Sequence, residues 1–257
     1  MLPQRPIAPL PPGSIHSKEQ TSIYRELSDE EVCSLAKEID GAGYAVLPQY
    51  VGPEEIDQLR DFVRSTVASA GGVYAALTGY APVADTPLGA MTNSSALKSV
   101  FRRLYQVAAS RPAKNDEYHQ VLRCLTGESG LKHSMWFHFD SYLVSGLLPI
   151  EVPAGKQSGE LIVLRNVRPI RARYVTNVAD KVLLENPLTQ RILRNIAARY
   201  ADRFVRIQLK PGDLYFFWGY RSVHTNAPCD SDKIRATALF HYGDPHRDSA
   251  LKTLLGR

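Results

Sequence analysis

Apolar positions recur at helical spacing in the first part of the chain and alternate like strands in the second. Ser28 followed three residues later by Glu31 predicts a capping box. Val32, Leu35, Ala36 and Ile39 then form one apolar stripe, which Gly41 and Gly43 end. Tyr44–Leu47 reads as a short strand. Pro53, at a first-turn position, opens a second helix with Ile56, Leu59, Phe62 and Val63 on one face. A third helix is expected over about 94–109, with Leu97, Val100, Phe101 and Leu104 inward.

The texture changes after Asp116. Short apolar segments over 118–125, 134–150, 159–165, 203–209, 213–219 and 234–242 read as strands, punctuated by Pro149, Pro153, Gly155, Gly159, Pro211 and Gly212. One helix is expected among them at about 183–200, where Leu184, Leu188, Ile192 and Ile196 repeat every four residues. Helices come first and strands follow, without βαβ alternation. That order predicts an α+β fold: an antiparallel sandwich or jelly roll with N-terminal helices packed on one sheet. Residues 1–25 hold Pro3, Pro6, Pro9, Pro11 and Pro12 and read as a poorly ordered arm. Residues 26–257 read as a single domain.

Length and composition agree with this picture. A chain of 257 residues buries roughly 70–75% of its unfolded surface and forms a core without staples. The three cysteines, Cys33, Cys124 and Cys229, lie far apart without a CxxC pair, which argues against a disulfide framework or a zinc ribbon and leaves buried, inert thiols. The N-terminal stretch lacks the apolar run of a secretory signal, and no segment is apolar for long enough to span a bilayer. The expectation is a cytoplasmic protein that does not bind membranes.

The net charge of +5 draws attention to a basic region from Arg165 to Arg206. Glu151 and Glu160 precede it, Asp180, Glu185 and Asp202 interrupt it, and no nucleic-acid reader motif accompanies it. A solvated face is the first reading, attraction of an anionic substrate the second, and nucleic-acid binding a distant third. The aromatic residues Trp136, Phe137, Tyr215, Phe216, Phe217 and Trp218 are read as sheet core, with a pocket wall as the alternative.

Candidate chemistry centres on His138-Phe139-Asp140. On an extended segment residues i and i+2 project to one side, so His138 and Asp140 can converge on an ion while Phe139 packs behind. His246-Arg247-Asp248 has the same spacing but no histidine downstream of it. A two-histidine, one-carboxylate set needs a third ligand, usually from a later strand. His224, His241 and His246 are available, and His224, where the chain leaves the segment Leu214–Trp218, fits best. Arg235-Ala236-Thr237 then places a guanidinium and a hydroxyl on one face of the last strand, a combination suited to a carboxylate. A hairpin turn through Pro228–Lys233 would set Arg235 beside the metal.

Together these residues, with Pro211-Gly212-Asp213-Leu214 and Phe216, resemble the phytanoyl-CoA dioxygenase-like family of Fe(II)/2-oxoglutarate-dependent oxygenases. Asp40–Leu47 and the helix opened by Pro53-Glu54-Glu55-Ile56 resemble that family's opening, so the likeness spans about 28–245. The resemblance implies a double-stranded β-helix of the cupin-like kind, with iron held by His138, Asp140 and His224. It implies 2-oxoglutarate anchored by Arg235 with help from Thr237, and O₂ as the other cosubstrate. Gln120, Arg123 and Tyr142 are candidates for further cosubstrate contacts. Phe139 stands where many members of the family have glutamine. The implied reaction oxidises a C–H bond of a small-molecule substrate, by default through hydroxylation, while 2-oxoglutarate becomes succinate and CO₂. Two other readings stay open: a cupin-like metalloenzyme that does not use 2-oxoglutarate, and a non-catalytic jelly-roll binding module.

Overall fold

The capping box forms: the Ser28 backbone N–H donates to Glu31 Oε2 (2.8 Å) and the Glu31 N–H to Ser28 Oγ (3.2 Å). It opens helix α1 (Asp29–Ala42) in a computed structural model that describes residues 24–155 and 157–254. Gly43 closes the helix in the left-handed region (φ 93°) that glycine adopts without penalty. Strand β1 (Ala45–Leu47) and helix α2 (Pro53–Ser69) follow. Most of the expected arm lies outside the described residues. Within them Tyr24 is buried and stacks on Tyr50, with ring centroids 5.5 Å apart.

Two elements between α2 and the third expected helix have weaker sequence signals. Strand β2 (Ala75–Thr78) and helix α3 (Pro87–Asn93) lie within a loop-like stretch, and Ser94 caps helix α4 (Ser95–Ala109). Strand β3 (Tyr118–Leu125) leads through the short helix α5 (Gly127–Leu131) to β4 (Val144–Glu151) and β5 (Leu161–Leu164). Helices α6 (Tyr174–Glu185) and α7 (Pro187–Arg199) precede β6 (Val205–Ile207), β7 (Leu214–Phe217), β8 (Val223–Asn226) and β9 (Arg235–Tyr242). Helix α8 (Ala250–Leu254) ends the described chain. No helix of the described residues is long and apolar enough to cross a membrane.

The strands form two antiparallel sheets, one of six strands in the order β1-β7-β4-β9-β3-β2 and one of three in the order β6-β5-β8. This arrangement is consistent with a jelly-roll core. Alternation along the strands of the large sheet separates two buried layers. Leu122, Val144, Phe216 and Phe240 join Val32, Ile39, Leu59, Leu97 and Phe101 of the helices. Leu147, Tyr215 and Phe217, one position out of phase, join Leu161, Val163 and Ile207 of the small sheet. Phe101 fixes the helical layer with edge-on contacts to Tyr118 and Phe216, at 4.9 and 5.2 Å between ring centroids. Such pairs contribute about 0.5–1.5 kcal/mol each beyond burial. Pro149 is tolerated inside β4 because the register with β9 shifts between Pro149 and Glu151, where its missing N–H costs no ladder bond.

Three expectations need correction. The helix over 183–200 is two helices, broken where Asn186 caps α7 through the Leu188 N–H and Pro187 fills its first turn. Leu188 and Ile192 face outward, 66% and 48% exposed, because the break rotates the four-residue row away from the core; Leu184, Gln190 and Ala197 are the buried residues. Segment 134–150 is a strand only from Val144, because Met135 takes a positive φ (54°) and the run after it is extended without a continuous ladder. Cys33 is exposed on α1, whereas Cys124 and Cys229 are buried; all three are free thiols.

Candidate metal centre and its cavity

Two backbone hydrogen bonds bring the proposed ligands together. The His138 N–H donates to the His224 carbonyl (3.0 Å) and the His224 N–H to the His138 carbonyl (3.1 Å), an isolated antiparallel bridge. The Asp140 N–H donates to the Gly219 carbonyl (2.9 Å), so the extended phase holds from His138 to Asp140 without a formal strand. Phe137 and Phe139 therefore turn to the other side, where they join a buried cluster with Ile162, Leu184 and Val223. The Gln190 side-chain amide clamps the backbone of Phe137 from both ends, accepting from its N–H (2.9 Å) and donating to its carbonyl (2.8 Å).

One ligand atom from each of His138, Asp140 and His224 lies within 4.8 Å of the others. Asp140 Oδ1 is 3.8 Å from His138 Nε2 and 3.5 Å from His224 Nε2. Each imidazole spends its Nδ1–H on a carbonyl two residues upstream: His138 on Trp136 O (3.0 Å) and His224 on Ser222 O (3.1 Å). That tautomer leaves both Nε2 lone pairs directed at one point, the arrangement that suits an imidazole ligand. Ser145 Oγ donates to Asp140 Oδ2, so Oδ1 is the oxygen that faces the two imidazoles. Two imidazoles and one carboxylate oxygen fit a ferrous ion with open positions better than zinc in a closed structural site, which takes four protein ligands.

Electrostatics shape the triad further. Burial, with His224 second, pushes the His138 imidazole down to about 4, so it is neutral at neutral pH. Burial also lowers His224, but the Asp140 charge and hydrogen bond together outweigh it and hold this imidazole above its ordinary value. Asp140 is buried, yet His241 and His224 keep its carboxylate well below the usual range. His241 touches the far oxygen, with Nδ1 3.4 Å from Asp140 Oδ2 and 3.2 Å from Ser145 Oγ. It is not one of the three converging ligands.

The triad lines a cavity of about 170 Å³ between the two sheets, together with Arg123, Arg235, Thr237 and His241. The cavity follows β9, whose residues Arg235, Thr237, Leu239 and His241 alternate onto one face. It thus runs from the Arg235 guanidinium to the His241 end that touches Asp140. Arg235 is 3% exposed, and its Nε donates to the Gly159 carbonyl (2.7 Å). Gly159 makes room for it: its φ is +74°, and a Cβ there would collide with Arg235 Cδ. Among the described residues Arg235 has no acidic partner within ion-pair distance, and Arg123 has none either. Burial, then repulsion from Arg123, pulls Arg235 down to about 10, still a cation at neutral pH. A buried, unbalanced cation lining a cavity calls for an anionic guest.

Two of the other candidates fall elsewhere. Gln120 is buried but lies one residue out of phase with Val121 and Arg123; it faces the helices and accepts from Thr92 Oγ1 (2.6 Å). Tyr142 sits outside this cavity, packed against both His119 and His241, with ring centroids at 5.6 and 5.8 Å. Its ring turns from the cavity because the strand pairing resumes only at Val144. Sequence reasoning missed Ser145, Gly159 and Gly219. Each acts by contact across the fold: a Cβ at Gly219 would collide with Asp140 Oδ2 and Ser145 Oγ.

No model of a known protein family matches the chain, and no curated protein matches its sequence. Solved structures share its fold. The non-heme α-ketoglutarate-dependent carbocyclase SnoK from nogalamycin biosynthesis is 16% identical, with a TM-score of 0.56 over 86% of this chain and 87% of that one. The epimerase SnoN, solved with Fe³⁺, α-ketoglutarate and nogalamycin RO, is 13% identical, with a TM-score of 0.51 over 84% and 85%. A prolyl hydroxylase from Trichoplax adhaerens, in complex with a hypoxia inducible factor peptide, is 12% identical, with a TM-score of 0.52 over 84% and 90%.

Proposed function

We propose that this chain is a non-haem Fe(II)- and 2-oxoglutarate-dependent dioxygenase that oxidises a C–H bond of a small-molecule substrate, by default hydroxylating it. The observation that carries the reading is Arg235. A guanidinium buried without an acid, in the same cavity as a two-histidine, one-carboxylate triad, matches a dicarboxylate that bridges the two. A cupin-like metalloenzyme without 2-oxoglutarate would leave that cation unbalanced. The fold supports the reading, since SnoK and SnoN are α-ketoglutarate-dependent by description. The motifs favour the phytanoyl-CoA dioxygenase-like branch, with one domain over 26–257.

In this reading His138 Nε2, His224 Nε2 and Asp140 Oδ1 hold the iron. Iron bound there supplies dioxygen activation coupled to decarboxylation of 2-oxoglutarate to succinate and CO₂. Ser145 keeps Asp140 in its one-oxygen pose, while the two Nδ1–H bonds orient the imidazoles with Nε2 toward the ion. Arg235 takes the far carboxylate of 2-oxoglutarate through charge-assisted hydrogen bonds, with Thr237 beside it on the same face. Leu147, Leu161, Phe217 and Leu239 wall the cavity and exclude water from it. At about 170 Å³ the cavity is on the scale of a small dicarboxylate and below the roughly 300–1,000 Å³ of pockets for drug-sized ligands.

The test is succinate release from 2-oxoglutarate, screened against a metabolite panel with Asp140→Ala as the blank. The account expects one compound class to stimulate release in the natural sequence and none to do so in the variant. Release that continues unchanged in Asp140→Ala refutes the assignment.

A further inference from the structure

The inner cavity is too small for a second organic molecule beside the cosubstrate. It falls below the roughly 300–1,000 Å³ of pockets that enclose drug-sized ligands. The substrate therefore has to approach from outside, and the triad meets the outside at His138, whose side chain is 33% exposed where those of Asp140 and His224 are 8% and 7%. There a second cleft, of about 300 Å³, shares His138 and Arg123 with the inner cavity and adds Lys132, His133 and Trp136.

This mouth has a definite chemistry. No carboxylate lines it, and among the described residues neither Arg123 nor Lys132 has an acid within ion-pair distance. Trp136 presents its indole at the rim, 42% exposed. Its backbone is held on both sides: its carbonyl receives the His138 Nδ1–H and its neighbour Phe137 is clamped by Gln190. His133 forms a second flat wall, stacked on Tyr74 with centroids 4.1 Å apart. An exposed, backbone-anchored indole beside two cations is a surface for an anion with a flat body.

Charge balance points the same way, and here the inference rests on the oxygenase reading. A ferrous ion and Arg235 carry three positive charges between them; Asp140 and bound 2-oxoglutarate carry three negative ones. The loaded inner site is then neutral, and Arg123 and Lys132 remain unbalanced at its mouth. We propose that this mouth is the primary-substrate site and that the substrate is a small organic anion with a planar, unsaturated body. Its carboxylate or phosphate pairs with Arg123 and Lys132, and its flat face lies on Trp136, above the His138 edge of the triad.

Trp136 offers the readout. The chain has two tryptophans, and the other, Trp218, is fully buried with its Nε1–H on Asp40 (2.9 Å). Acrylamide quenching of tryptophan emission therefore reports access to Trp136. The full chain, anaerobic with Fe(II) and 2-oxoglutarate, is titrated with phenylacetate, phenyl phosphate and the neutral phenylacetamide. The anions are expected to protect the emission, and the amide to do so about tenfold more weakly or worse, the loss of one charge-assisted hydrogen bond. Lys132→Ala, at an exposed position, should erase most of that preference, and Trp136→Phe should remove the protectable signal.

Equal protection by the amide, no protection by either anion, or an unchanged preference in Lys132→Ala overturns the proposal. Calorimetric binding of 2-oxoglutarate to the same samples separates the two levels. Intact 2-oxoglutarate binding with no anion effect sinks only the mouth assignment. Absence of 2-oxoglutarate binding sinks both.

Discussion

His138 and His224, far apart in sequence, exchange a pair of backbone hydrogen bonds, at 3.0 and 3.1 Å. The pairing sets both imidazoles on one side with ring centroids 4.4 Å apart. Gln190 then braces the segment that leads into it. The donor set is thus positioned by backbone pairing and not by the side chains alone.

Ser145 is expected to tune the metal. Its hydroxyl donates to Asp140 Oδ2, the oxygen that faces away from the imidazoles. Ser145→Ala should weaken Fe(II) binding by about 10–100-fold, the usual cost of losing such a supporting contact, without unfolding the protein. Gly219→Ala should do at least as much, because its Cβ collides with both groups. Competition of each variant with a calibrated metal chelator measures the effect.

Arg235 sets stability against function. Arg235→Met removes a buried cation that lacks an acid, so the ligand-free protein should gain about 1–3 kcal/mol. The same change should cost 2-oxoglutarate binding on the order of 2–5 kcal/mol. Gly159→Ala, which drives a Cβ into the Arg235 side chain, should reproduce the binding loss without the gain in stability. Chemical denaturation and calorimetry on the three proteins check both halves.

Protons compete with the metal at His224. Its folded pKa lies above the ordinary 6.5, so below that raised value a proton must leave before Nε2 can bind iron. Metal affinity should therefore fall by about tenfold per pH unit on the acid side and level off once the imidazole is neutral. The stability of the metal-free protein carries two opposite signatures. His138, depressed to about 4, contributes stability that is present above 6.5 and lost as pH falls toward 4. His224, raised, contributes stability that is present below 6.5 and lost as pH rises through its folded value. His138→Ala should flatten the acid limb alone in a pH series of thermal melts.

Local chemistry decides how much of this could be read from the sequence. The Ser28–Glu31 box is a contact between near neighbours, and it was legible. The spacing of His138 and Asp140, and of Arg235 and Thr237, was legible because extended chain alternates; three of the four side chains are buried, and all four line one cavity. Gln120 was misread because alternation tells which residues share a face and not which face meets the cavity. The break at Asn186-Pro187 was in plain view, but the four-residue apolar row around it invited one helix and hid the outward turn of Leu188 and Ile192. Ser145 against Asp140, and Gly159 against Arg235, are contacts between separate segments; neither residue carries a local signal.

The central claim is that one cavity binds iron at His138, Asp140 and His224 and a dicarboxylate at Arg235. Anaerobic calorimetric titration of 2-oxoglutarate into Fe(II)-loaded protein tests it most directly, with Asp140→Ala and Arg235→Met alongside. The account predicts saturable one-site binding in the natural sequence and its loss in both variants. Binding that survives in both, or none in the natural sequence, contradicts it.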